Sequence, residues 1–109
     1  MAESFEVIVT GSAESDLEAI VEYVSDTTSY EHALKVRDQI VAAIEGLETM
    51  PERHAPLKET VEYVVDYYRR VLAGNYKIIF TIEQAVDIVF VIRIIHIRRG
   101  GEYVRNALT

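Results

Sequence analysis

Residues 68–80, Tyr68-Arg69-Arg70-Val71-Leu72-Ala73-Gly74-Asn75-Tyr76-Lys77-Ile78-Ile79-Phe80, read as two strand-forming runs parted by Gly74-Asn75. Glycine and asparagine supply the backbone freedom of a two-residue turn, so the flanking runs fold back on each other as a hairpin. The runs extend over roughly 61–72 and 76–82, and a third, 86–97, follows Glu83-Gln84-Ala85. That third run is apolar on both alternating faces, with Val86, Ile88, Phe90, Ile92 and Ile94 on one and Val89, Val91 and Ile95 on the other. A strand apolar on both faces belongs in the middle of a sheet.

Upstream the period changes. Phe5-Glu6-Val7-Ile8-Val9 alternates as a short strand, and Thr10-Gly11-Ser12 breaks it, with Ser12 the expected helix cap. Ala13, Leu17, Ile20, Val21 and Val24 then recur at helical spacing, while Glu14, Glu18 and Glu22 take the other face. Asp26-Thr27-Thr28-Ser29 is a turn in which Ser29 caps a second helix. Its stripe is Ala33, Val36, Ile40, Ala43, Ile44 and Leu47; Gly46 weakens its last turns and Met50-Pro51 ends it. Residues 51–60 read as a loop. The order β-α-α-β-β-β predicts one α+β domain over residues 1–109, an antiparallel helical hairpin packed on a mainly antiparallel sheet of about four strands. The N-terminal strand adds to an edge, and a short C-terminal tail or helix follows Gly100-Gly101.

Composition narrows the function classes. Half of the 109 residues are apolar, and there is no cysteine, which removes disulfides, thiolate catalysis and Cys-based zinc sites. The acidic N-terminus has no apolar core of a signal peptide, and the most apolar stretch, 76–97, is interrupted by Lys77, Glu83, Asp87 and Arg93. The expectation is a cytoplasmic protein with no membrane partner. Charge is sorted along the chain: residues 1–68 carry fifteen acids against four bases, residues 69–109 seven bases against three acids, and the net is −7. A local basic excess on an acidic chain is built to meet an anion or an acidic partner at the C-terminal sheet.

The Pro56-Leu57-Lys58 segment, the hairpin 68–80 and the run Ile92-Arg93-Ile94-Ile95-His96-Ile97-Arg98-Arg99 together resemble the RelE/ParE superfamily. These are toxins of type II toxin–antitoxin modules, the plasmid-stabilisation type. The helix start with Ser12, Ala13, Asp16 and Leu17 fits as well, so the likeness spans nearly the whole chain. It implies a small toxin held inactive by a cognate antitoxin, with no cofactor. It also implies one of two mechanisms. RelE-like members cut mRNA on the ribosome, and their pattern maps onto Arg70, Lys77, Arg98 and Tyr103 as catalytic groups; Arg69, Arg93, His96 and Arg99 beside them are the candidate substrate-binding groups. ParE-like members inhibit DNA gyrase without known nuclease activity, and the Ile92–Arg99 run looks more like that branch. Tyr68 stands where the nucleases often carry a lysine, and the Arg98-to-Tyr103 spacing is one residue short of their usual pattern. The balance of residues leans to the metal-independent ribonuclease, with the gyrase inhibitor, or a toxin fold that has lost toxicity, as alternatives.

The chemistry agrees with either reading. Metal-free RNA cleavage needs a proton acceptor, a clamp on the phosphorane and a proton donor. Arginine forks suit the clamp; Lys77, Tyr103 or His96 can move protons, His96 alone having an ordinary pKa near neutrality. The plainer reading makes these arginines a solvated sheet face. On a regular strand His96 and Arg93 point to opposite faces, as do Arg69 and Arg70, so convergence requires a bulge. Arg93, flanked by apolar residues, is expected to meet a carboxylate, Asp66 or Glu62. His32 and His54 are isolated, and no spacing suggests a metal site. Tyr63, Tyr67, Tyr68 and Tyr76 are expected mostly in the packing between sheet and helices, whereas Tyr103 sits in a polar, mobile tail.

Overall fold

A computed structural model describes residues 4–57 and 68–108. Lys58, Glu62, Tyr63, Asp66, Tyr67 and the opening of the expected strand at 61–72 lie outside the described residues. Strand β1 (Glu6–Val9) leads into helix α1 (Gly11–Thr27) and helix α2 (Tyr30–Glu45); β2 (Arg69–Ala73), β3 (Tyr76–Glu83), β4 (Ile88–His96) and helix α3 (Gly101–Ala107) follow. The sheet order is β1-β4-β3-β2, with β1 parallel to β4 and the other pairs antiparallel. This is the expected α+β architecture, with the N-terminal strand on an edge and the doubly apolar β4 inside.

The helix boundaries follow from their caps. Thr10, not Ser12, caps α1: its hydroxyl accepts from the Ala13 amide at 3.3 Å. The same hydroxyl donates toward the carbonyls of Val91 and Ile92 at 2.9 and 3.2 Å, so the cap also rivets the end of β1 to β4. Ser29 caps α2 as expected, accepting from the His32 amide at 3.0 Å. Past Gly46 the chain tightens into a short 3₁₀ turn carrying buried Leu47, and Met50 takes a left-handed conformation before Pro51.

Two apolar layers sandwich the sheet. On the hairpin side Ala13, Ile40, Ile44, Leu47, Ile78, Phe80, Val89, Val91 and Ile94 are buried together, with Leu17, Ile20 and Val36 packed against them. On the other side Leu57, Ile79, Ile95 and Val104 form a smaller cluster. The faces of β4 differ from simple alternation, because Ile94 shares the hairpin side with Val89 and Val91. A bulge is the reason: Ile79 pairs with Arg93 and Phe80 with Val91, so Ile92 is an extra residue that shifts the parity of the strand. The strand also starts two residues later than expected, since Gln84–Val86 form a 3₁₀ turn and Val86 is exposed. The C-terminal segment is not a loose tail. Gly101 opens α3, and Val104 is fully buried on Ile79, Ile95 and Leu57.

Candidate functional site

Strand β1 stops at Val9, opposite Val91, while β4 runs on to His96. This mismatch leaves the far end of β4 without a strand neighbour on that side, and a groove of about 670 Å³ occupies the space. Its walls are Asp16, Ala19, Ile20 and Tyr23 of α1 on one side and Tyr103 of α3 on the other. Ile94, Ile95 and His96 form its floor, and Arg98 and Arg99 stand at its end.

Asp16 anchors the groove. Arg93 Nε donates to Asp16 Oδ2 at 2.7 Å and Nη2 donates to Oδ1 at 2.9 Å, while the Ile94 amide donates to Oδ2 at 2.9 Å. Arg93 Nη1 reaches on to the Ala107 carbonyl at 3.1 Å, tying α3 to the same point. The hydrogen bond to Asp16 raises the Arg93 pKa above its usual value against the opposing effect of burial. Arg93 therefore meets a carboxylate as its apolar flanks predicted, and among the described residues that carboxylate is Asp16; the expected partners Asp66 and Glu62 lie outside the described residues. The signal for Asp16 was present in its spacing: three residues after Ala13 and four before Ile20, it falls on the buried face of α1, where an acid needs a partner.

His96 and Tyr76 sit directly across from each other on β4 and β3, their rings edge to face with centroids 5.2 Å apart. His96 Nδ1 accepts from the Arg98 amide at 3.1 Å, which leaves the proton of the neutral ring on Nε2. Burial, and to a lesser degree the neighbouring Tyr23, raises the Tyr76 pKa. The Arg99 guanidinium lies 4.4 Å from the centre of the Tyr103 ring, a cation–π contact that fixes both at the groove mouth.

Of the four expected catalytic residues, two line the groove. Arg98 and Tyr103 line the groove together with His96 and Arg99. Arg70 pairs with Ile79, and Lys77 with Leu72 and Ile95, on the sheet face that carries the smaller apolar cluster. Lys77 is buried, 8% exposed. Arg70 is on β2, two strand spacings or roughly 9–10 Å from β4. Arg69 is committed to structure, donating to the carbonyls of Glu52 at 3.2 Å and His54 at 2.6 Å. Among the described residues no group of acids and histidines could hold a metal ion, and no helix is long and apolar enough to cross a membrane.

The sequence profile of the family described as ParE toxin of type II toxin-antitoxin system, parDE, matches residues 7–100. The chain belongs to the ParE toxin family. The toxin's fold is shared by a chain of the chromosomal ParDE toxin–antitoxin system of P. aeruginosa, with a TM-score of 0.72 and 19% identity over 89% of this chain and 100% of that one. A chain of a RelBE toxin–antitoxin complex from Mycobacterium tuberculosis matches with a TM-score of 0.62 and 18% identity, covering 85% and 98% of the two chains. An arginine-substituted variant of the E. coli toxin RelE in the free state matches with a TM-score of 0.61 and 12% identity, covering 93% and 92%. At these identities the structural likeness is one of fold. A search of curated proteins returns no significant match.

Proposed function

We propose that this toxin arrests growth by binding DNA gyrase, without cutting RNA, and that a cognate antitoxin neutralises it. What supports this reading is that, of the four nuclease-type residues, Arg98 and Tyr103 line the groove, while Lys77 is buried and Arg70 stands on β2. In-line phosphoryl transfer needs its acid, base and phosphate clamp around one phosphate. Charge points the same way. A net of −7, concentrated on the helical hairpin, opposes docking to ribosomal RNA, where basic side chains supply most of the affinity. The P. aeruginosa relative, itself part of a ParDE system, supports the assignment of an antitoxin partner.

Induced expression with parallel assays of protein synthesis, transcript ends and DNA integrity tests the proposal. The expected outcome is continued translation with DNA damage and filamentation, and full toxicity of an Arg70→Ala variant. A rapid stop in translation with transcripts cut at the ribosomal A site overturns it.

A further inference from the structure

The turn that leaves β4 is held by amide hydrogen bonds of two kinds. Ile97 donates its amide to the Asn75 carbonyl at 2.9 Å, and Arg99 donates to the His96 carbonyl at 3.0 Å. Those acceptors are carbonyls and do not change with pH. The Arg98 amide between them donates to a side chain, His96 Nδ1, at 3.1 Å. A ring nitrogen accepts only while it carries no proton, and histidine is the side chain that ordinarily gains one near neutrality. The middle bond of the turn is therefore conditional on the charge of His96.

The surroundings offer a charged ring no compensation. Tyr76 of β3 packs edge to face with it. The groove adds Asp16 and Tyr23 from α1, Tyr103 from α3, and Arg98 and Arg99 from the turn itself. Asp16 is the one carboxylate among these residues, and both of its oxygens are engaged by Arg93, one of them also by the Ile94 amide. Arg98 and Arg99 are exposed, so their repulsion of an imidazolium is screened by solvent and salt. Loss of the Nδ1 acceptor is the larger effect. Arg99 has a second hold through the Tyr103 ring, whereas Arg98 forms no salt bridge among the described residues.

We infer that His96 is a proton-operated latch on Arg98. The neutral ring holds the Arg98 amide and, with it, the place of the guanidinium at the groove end. Protonation turns the acceptor into a second donor and releases the amide. Ile97 and Arg99 keep their carbonyl partners, so the rest of the turn stays in place and Arg98 alone is freed. Acidification thereby adds one positive charge to the groove and loosens another. The latch is closed on the alkaline side of the His96 titration and open on the acid side. It belongs to the toxin alone and holds whichever target the toxin acts on.

The test follows the full chain by NMR across the histidine titration, reading ring nitrogen shifts and solvent exchange of the Arg98 amide corrected for its intrinsic pH dependence. The neutral His96 ring should carry its proton on Nε2. The Arg98 amide should exchange about fivefold faster once that ring is charged, with the midpoint of the His96 ring and not that of His54. His96→Asn supplies a side-chain oxygen that accepts from the amide two residues on and does not titrate, so Arg98 should stay protected throughout. His96→Phe keeps a ring against Tyr76 without an acceptor, so Arg98 should exchange fast at every pH. Unchanged amide shifts of Val89 and Val104, buried in the two core layers, establish that each variant is folded; should one fail to fold, the titration of the parent chain decides. An Arg98 amide indifferent to the His96 titration, a neutral ring protonated on Nδ1, or a pH response of Arg98 that persists in His96→Asn overturns the inference.

Discussion

The carboxylate of Asp16 accepts from the Ile94 amide of β4 just beyond the end of β1, and Arg93 grips both of its oxygens. One side chain thereby ends the sheet edge, fixes the first turns of α1 and, through Arg93, holds the carbonyl of Ala107 in α3. The pair is mostly shielded, its side chains 16% and 23% exposed. Breaking such a pair leaves a guanidinium and a backbone amide without their acceptor. Asp16→Ala should cost roughly 2–3 kcal/mol in urea denaturation, and α3 should lose amide protection before the rest of the sheet. A change below about 0.5 kcal/mol would contradict this role.

The hairpin turn gives a second expectation. Gly74 has φ +58°, and Asn75 has no positive φ, so the left-handed demand falls on the first loop residue alone. A Cβ at Gly74 would meet Gln39 Oε1 at 2.7 Å, but that is the end of a flexible side chain on α2 and it can move aside. The backbone cost remains. Gly74→Ala should lower stability by about 1–2 kcal/mol, and Gly74→Asn by less. Equal melting temperatures for Gly74→Ala and the parent would refute this account of the turn.

His54 sets a pH dependence. Its ring lies edge-on to Phe80, centroids 5.9 Å apart, and burial, then the nearby Arg53 and Arg69, lowers its pKa below the ordinary 6.5. The unfolded chain consequently binds this proton first as pH falls. Stability from this residue is complete above about 6.5 and is lost as pH drops through the lower folded value. The ring is partly solvated, so the effect is small. Comparing pH-dependent melting of the parent and His54→Gln checks it. Identical slopes below neutrality would show that His54 does not contribute.

The fold was legible because its signals are local: the Gly74-Asn75 turn, the helical stripes of α1 and α2, and the apolar residues on both faces of β4 each depend on neighbours in sequence. The site was legible only in part. Arg98, His96, Arg99 and Tyr103 come together because they follow one another closely at the end of β4 and the start of α3. The bulge at Ile92, which sets the faces of Ile94 and Arg93, comes from pairing with β3 and has no marker such as glycine in the strand. The docking of α3 was hidden for a related reason. Gly100-Gly101 suggests a loose joint, and only the position of Val104 over Ile79 and Ile95 makes the segment a packed helix. Asp16 could have been found from its place on the buried face of α1, but its partner lies 77 positions away.

A supercoiling assay with purified toxin and DNA gyrase, run beside mRNA cleavage on programmed ribosomes, tests the proposed function most directly. The account predicts loss of supercoiling, accumulation of cleaved DNA and intact mRNA. Unimpaired gyrase together with mRNA cut on the ribosome would contradict it.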